Sequence, residues 1–113
     1  MALTVTQLFA PTQLTTGNQI IYSVPSTPTT SVLKNGAVRF TNTSSAAVTV
    51  TAYACQQGST PTAANAFANA ESIAPNTHLD MPVPMLAAGG FIEASASAGT
   101  SVTMFALDGV VFS

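Results

Sequence analysis

Charge is what this sequence has least of. Its 113 residues carry 5% Asp, Glu, Lys and Arg, against roughly 25% in an average soluble domain. Lys34 and Arg39 are the only fixed cations, so no basic stripe exists to neutralise a row of phosphates, and nucleic acid is not expected as a partner. There is no Trp and only one Cys, Cys55. A lone thiol cannot close an internal disulfide, and without a second thiol or clustered His it builds no zinc site. Cys55 is read as a small hydrophobe at a strand end. No apolar run approaches the roughly 20 residues of a membrane span, and Met1–Ala10 has neither a basic nor an apolar leader region, so the chain is expected to be cytosolic at synthesis and to need no membrane.

The hydrophobic fraction is nevertheless 47%, enough for a packed core, and the length suits one domain spanning residues 1–113. The surface must then be mostly Thr, Ser, Asn, Gln and Ala. Such side chains lose little rotamer entropy in an interface and carry no charge to desolvate. A protein packed at high density in an assembly fits that surface; a secreted or heat-resistant monomer is the plainer alternative.

Apolar residues alternate with Thr or other polar residues along most of the chain, the signature of half-buried antiparallel strands. Ala47–Cys55 is the clearest case, with Val48, Val50, Ala52 and Ala54 on one face and Thr49, Thr51 and Tyr53 on the other. Ala37–Asn42 sets Val38 and Phe40 against Arg39 and Thr41. The Asn35-Gly36 dipeptide predicts a tight hairpin joining Ser31–Lys34 to that strand. Further strands are expected over Thr4–Phe9, Gln19–Val24, Ser72–Ile73 with His78–Met81, Gly90–Ala96, Ser101–Phe105 and Asp108–Phe112. Thr62–Ala70 is read as an irregular strand or short turn with Phe67 toward the core, and Phe40 and Phe91 are expected in the core. Prolines 25, 28, 82 and 84 belong at edges or loop entries, since proline cannot donate into a ladder. The count, about eight or nine short strands, predicts an all-β, antiparallel β-sandwich of jelly-roll or immunoglobulin-like type.

Chemistry has little to work with. Any His-based catalysis must use His78, which shares a strand face with Asp80, but no serine elbow or oxyanion loop accompanies them. Glu71, Asp80, Glu93 and Asp108 allow carboxylate pairs on paper, as any four acids do, and read as surface charge or turn chemistry; no calcium run or phosphate loop is present. The sequence therefore predicts a non-enzyme with no cofactor and no metal site. Thr49, Thr51 and Tyr53 are the candidate interface residues, Tyr53 because a phenol supplies rigid area and one hydrogen bond. The N-terminal segment Thr4–Phe9 is a second candidate, reaching to a neighbouring copy.

Taken in order, Ile21–Pro25, Ala37–Ser44, Ala47–Tyr53, Ser72–Asn76 and Leu86–Ala94 resemble a family of small structural proteins common in tailed bacteriophages. The resemblance runs from about residue 20 to the C-terminus. It implies a β-sandwich of the virion: a capsid decoration protein on the outer face of the head, bound to the major capsid protein and self-associated as a homotrimer, or alternatively a tail, baseplate or fibre component. A host-surface or carbohydrate-binding module is a weaker alternative. Where the family usually has Gly after the Ala-Pro of its turn and an acid before the last long strand, this chain has Asn76 and Gly90.

Overall fold

Val48, Val50 and Ala52 point into the core and Thr49, Thr51 and Tyr53 out of it, as the alternation requires, along a strand that runs Val48–Cys55. The computed structural model describes residues 3–4, 8–27 and 29–112. Its strands are β1 (Leu3–Thr4), β2 (Thr12–Gln13), β3 (Gln19–Ser23), β4 (Val32–Asn42), β5 (Val48–Cys55), β6 (Ala66–Ile73), β7 (Thr77–Val83), β8 (Leu86–Ala87), β9 (Phe91–Ala96) and β10 (Val102–Phe112). A 3-10 turn at Ala63–Asn65 is the helical element among the described residues.

All pairings are antiparallel and fall into two sheets. The first has the order β1–β10–β4–β7, with β2 added to β10 and β8 to β4. The second has the order β3–β9–β5–β6. Six of the nine connections cross from one sheet to the other, so each sheet interleaves early and late strands in two Greek keys. That is the jelly-roll order, not the immunoglobulin one. Phe40, Leu14, Leu33, Ile73, Leu86, Ile92 and Met104 fill the space between the sheets. Each contributes about 1.5–3 kcal/mol through lost apolar exposure.

The Asn35-Gly36 hairpin does not form. β4 passes straight through it as an 11-residue strand. Asp108-Gly109 likewise lies inside β10, not between strands. The two dipeptides meet. β10 carries one extra residue, Leu107, between the pairs Ala106–Val38 and Asp108–Ala37, and β4 carries one extra residue between Ala37–Asp108 and Lys34–Val110. The insertions cancel, so the register is the same on both sides of a shared kink. Asn35 sits at φ 57° and Gly109 at φ 146°, backbone that these residue types tolerate and others resist. Positive-φ propensity signalled a break in each strand; pairing with the neighbour turned the break into a bulge.

Other expectations are adjusted in the same way. Thr62–Ala70 divides into the 3-10 turn and the start of β6. Ser72–Ile73 and His78–Met81 lie in separate strands of different sheets, joined through Asn76 at φ 57°. Phe91 faces outward beside Ser23 and Cys55, and Ile92 takes the core position. Of Thr4–Phe9, Thr4 ends β1, residues 5–7 lie outside the described residues, and Leu8 and Phe9 pack on the chain's own core. Pro82 lies in the edge strand β7, with Pro25 and Pro84 in loops; Pro28 lies outside the described residues.

Asn42 is the largest buried polar side chain. Its amide donates to the carbonyls of Ala46 and Ile73 at 2.9 and 3.0 Å, and its Oδ1 accepts from Ser44 N and Oγ at 3.0 and 2.7 Å. It ties the end of β4 to the β4–β5 turn and, across the sandwich, to the end of β6.

Candidate functional site

Three neighbouring strands of the second sheet assemble the face that carries Thr49, Thr51 and Tyr53. Tyr53 in β5 lies opposite Glu93 in β9, and Glu93 lies opposite Ile20 in β3, so Ile20, Glu93 and Tyr53 form one cross-strand row. Thr51 lies opposite Ser95. The structure thus keeps the three candidate residues on one outward face, each half-buried by its neighbours. Thr51 has local work as well: its hydroxyl accepts the Ala70 N–H at 3.1 Å. Ala70 is at φ 50° in a bulge of β6, where this N–H has turned away from the ladder. Thr49 is held at the backbone, its N–H donating to Ser97 Oγ at 3.0 Å and its carbonyl accepting Ser97 N–H at 2.9 Å. Of the three, only Thr51 uses its side chain in a hydrogen bond among the described residues; the side chains of Thr49 and Tyr53 make none.

Cys55 ends the same strand face and is fully buried. Burial pushes its thiol pKa up, and the nearby Glu93 carboxylate pushes it further. That is the environment of an inert thiol.

The opposite face, on the first sheet, has a feature that strand-by-strand reading missed. Arg39 in β4 and Asp80 in β7 are direct cross-strand partners, and Arg39 donates from Nε and Nη2 to the two Asp80 oxygens at 2.7 and 2.9 Å. The residues lie 41 apart in the chain, and local periodicity holds no signal for that pairing. His78 does share the face with Asp80, but Asp80 is engaged by Arg39. On the other side of Arg39 its partner is Phe105 in β10. Arg39, Thr41, Phe105, Ala106 and Leu107 line a shallow concavity of about 240 Å³. Leu107, the extra residue of the β10 bulge, forms its rim and is 45% exposed. Among the described residues no three His, Cys, Asp or Glu side chains gather into a group that could hold a metal, and no helix is long and apolar enough to cross a membrane.

The Arg39 guanidinium holds the Asp80 carboxyl below the usual carboxylate range, chiefly through the hydrogen bonds, with the Arg39 and His78 charges adding to it. A carboxyl with a depressed folded-state pKa stabilises the fold above about pH 4 and loses that contribution as pH falls through its own lower value. Asp80→Asn is therefore expected to leave neutral-pH stability little changed, because both groups are solvent-exposed, and to flatten the fall in stability below about pH 4. Urea unfolding of the two proteins across acid pH measures this; parallel curves would contradict it.

Fold and surface together define the class: a charge-poor, antiparallel jelly-roll β-sandwich with two broad outer faces. No family model matches the chain, and neither the curated proteins nor the solved structures contain a match to it.

Proposed function

We propose that the chain is a virion structural protein of a tailed bacteriophage, a capsid decoration protein that binds the outer face of the head as a homotrimer and bridges major capsid subunits. The observation that carries this reading is the placement of the few charges. Arg39 and Asp80 neutralise each other on one broad face, and the second sheet is Thr, Ser, Ala and aromatic around two carboxylates, Glu93 and, on the edge strand β6, the exposed Glu71. Faces of this kind are desolvated at small cost when they pack against protein.

The jelly roll supports the reading only by analogy, since it recurs in capsid proteins but also in lectins and cupins. The segments that resemble the phage family fall on β3, β4, β5, the β6–β7 turn and β8–β9. Bound subunits would stabilise the head by mass action: a ligand that binds the assembled lattice and not its dissociated form stabilises it by RT ln(1 + [L]/Kd) per site, with [L] the free subunit concentration. Fluorescently labelled protein added to undecorated heads, followed by electron microscopy and thermal disruption, is the test. Binding at threefold positions with a higher disruption temperature is expected. Labelling confined to tails would replace the head with the tail reading, and no binding to either would sink both.

A further inference from the structure

We propose that two copies of this chain pair along the open edge of the first sheet, β7 against β7 in antiparallel register about a twofold axis at Leu79, with His78 of each copy facing Asp80 of the other. The contact is twofold and does not rest on the threefold association proposed above. Where both exist, it joins one trimer to the next across the twofold axes that relate threefold positions of a closed shell.

Each sheet of a sandwich has two edges, and an edge strand presents its N–H and C=O groups to any strand that fits them. Three of the four edges here are broken up. β1 and β2 are two residues each. β3 shifts register between Ile20 and Tyr22, and β6 shifts twice and holds Ala70 at φ 50°. β7 has neither defect. Its seven residues pair with β4 in unbroken register from Thr77–Asn42 to Val83–Gly36, and among the described residues no loop backbone bonds to its outer side.

Pro82 fixes which way the β7 backbone points. It has no N–H, so its ladder position faces away from β4, and the period of two gives His78 and Asp80 the same outward direction. An antiparallel partner bonds to them only by bringing its own outward residues opposite, which leaves three twofold registers. With Asp80 opposite Asp80, two carboxylates face each other and Pro82 offers no N–H to the His78 carbonyl. With His78 opposite His78, the ladder runs into the turn at Asn76, φ 57°. With His78 opposite Asp80, unlike side chains face each other and each pair exchanges an N–H bond in both directions.

The side chains favour that last register. Arg39 takes one hydrogen bond at each Asp80 oxygen, at 2.7 and 2.9 Å, and a carboxylate oxygen has a second lone pair to offer. Across the pair the outer face then reads Arg39, Asp80, and His78 and Thr41 of the second copy, with the symmetric row beside it. On the inner face Leu79 meets Leu79 and Met81 meets Thr77. Leu79 and Met81 are half-buried at the margin of the core, so pairing covers their remaining apolar area and carries the core from one copy into the next.

Disulfide capture reads the register directly. In Leu79→Cys the two thiols face each other in a non-hydrogen-bonded pair, with Cα atoms about 4.5 Å apart, inside the range a disulfide spans. The full chain with this change and Cys55→Ala, its fold confirmed by circular dichroism, is oxidised with oxidised glutathione at about 0.1–1 mM, the range for a small transient contact. A dimer on a denaturing, non-reducing gel is expected. Thr77→Cys and Met81→Cys should each give little dimer alone, because like positions lie about 13 Å apart along the strands, and should cross-link when mixed. No dimer from Leu79→Cys, or equal yields from all three single changes, would overturn the pairing. Adding His78→Pro, which keeps the β4 ladder as Pro82 does but removes the outward N–H, should weaken capture by on the order of 10- to 100-fold; an unchanged yield would also overturn it. Sedimentation of His78→Pro tests the trimer separately: its absence would sink the threefold association and leave a positive disulfide result intact.

Discussion

Asn42→Asp is expected to destabilise the protein by about 3–5 kcal/mol at neutral pH, the range for breaking a buried, fully bonded polar cluster. The shortest bonds from the Asn42 amide go to two main-chain carbonyls, those of Ala46 and Ile73, with Ala74 O a longer third at 3.3 Å. A carboxylate in the same volume presents an oxygen to both at about 3 Å, with no water to screen it. Protonation relieves only part of this, since one hydroxyl hydrogen serves one carbonyl. The introduced Asp would have a folded-state pKa above its unfolded value, so the penalty is full above that raised pKa and shrinks as pH falls below it. Asn42→Ala should cost less, about 2–3 kcal/mol, because it leaves groups unpaired without burying a charge. Urea unfolding gives both values, and the Asp variant's Tm should fall by roughly 15 to 30 °C. A loss below about 1 kcal/mol for Asn42→Asp would mean that the turns hold together without this clamp.

What was legible in the sequence was the period. β3 and β5 lie within a residue of where the sequence puts them; in β5 this is because one parity is Val and Ala and the other Thr and Tyr, while in β3 the run Ile20-Ile21-Tyr22 marks the strand and a bulge sorts its faces. The first error was one of parity. In Phe91–Ala96 the largest side chain, Phe91, suggested the core, but Glu93 and Ser95 share its face while Ile92, Ala94 and Ala96 share the other. The small residues decided the register because a carboxylate cannot be buried unpaired. The second error concerned turn chemistry. Asn-Gly and Asp-Gly report only that the backbone can reach positive φ, and a bulge needs that as much as a hairpin does. Two long strands with such dipeptides in matching positions could have suggested a shared kink. The Thr49–Thr51–Tyr53 face was readable because it lies within one strand. The Arg39–Phe105 concavity was not, because its residues come from two strands whose adjacency is set by the Greek-key path.

The shared kink leads to the second large effect. Gly109→Ala and Gly109→Val are both expected to cost about 2–5 kcal/mol, the sum of backbone strain and local overpacking, and to differ little from each other because the first carbon does the damage. At φ 146° a side chain is disfavoured whatever space surrounds it. A Cβ at this position would also lie 2.5 Å from Leu8 Cδ1 and 3.4 Å from Leu33 Cδ1. Leu33 is fully buried and cannot yield; Leu8 is half-buried, and its terminal carbons can move. Combining Gly109→Ala with Leu8→Ala should therefore cost less than the sum of the single changes, and the part that remains measures the backbone strain. Asn35→Gly, across the kink at φ 57°, is the matched control and should change stability by less than about 1 kcal/mol, since Asn already tolerates that conformation. The kink also carries the surface: it inserts Leu107 and lets β10 pair with β2 on one side and β1 on the other. Urea unfolding of Gly109→Ala, Asn35→Gly and the Leu8→Ala combination measures these values, and a loss below about 1 kcal/mol for Gly109→Ala would mean that the kink forms without a residue free to adopt that backbone.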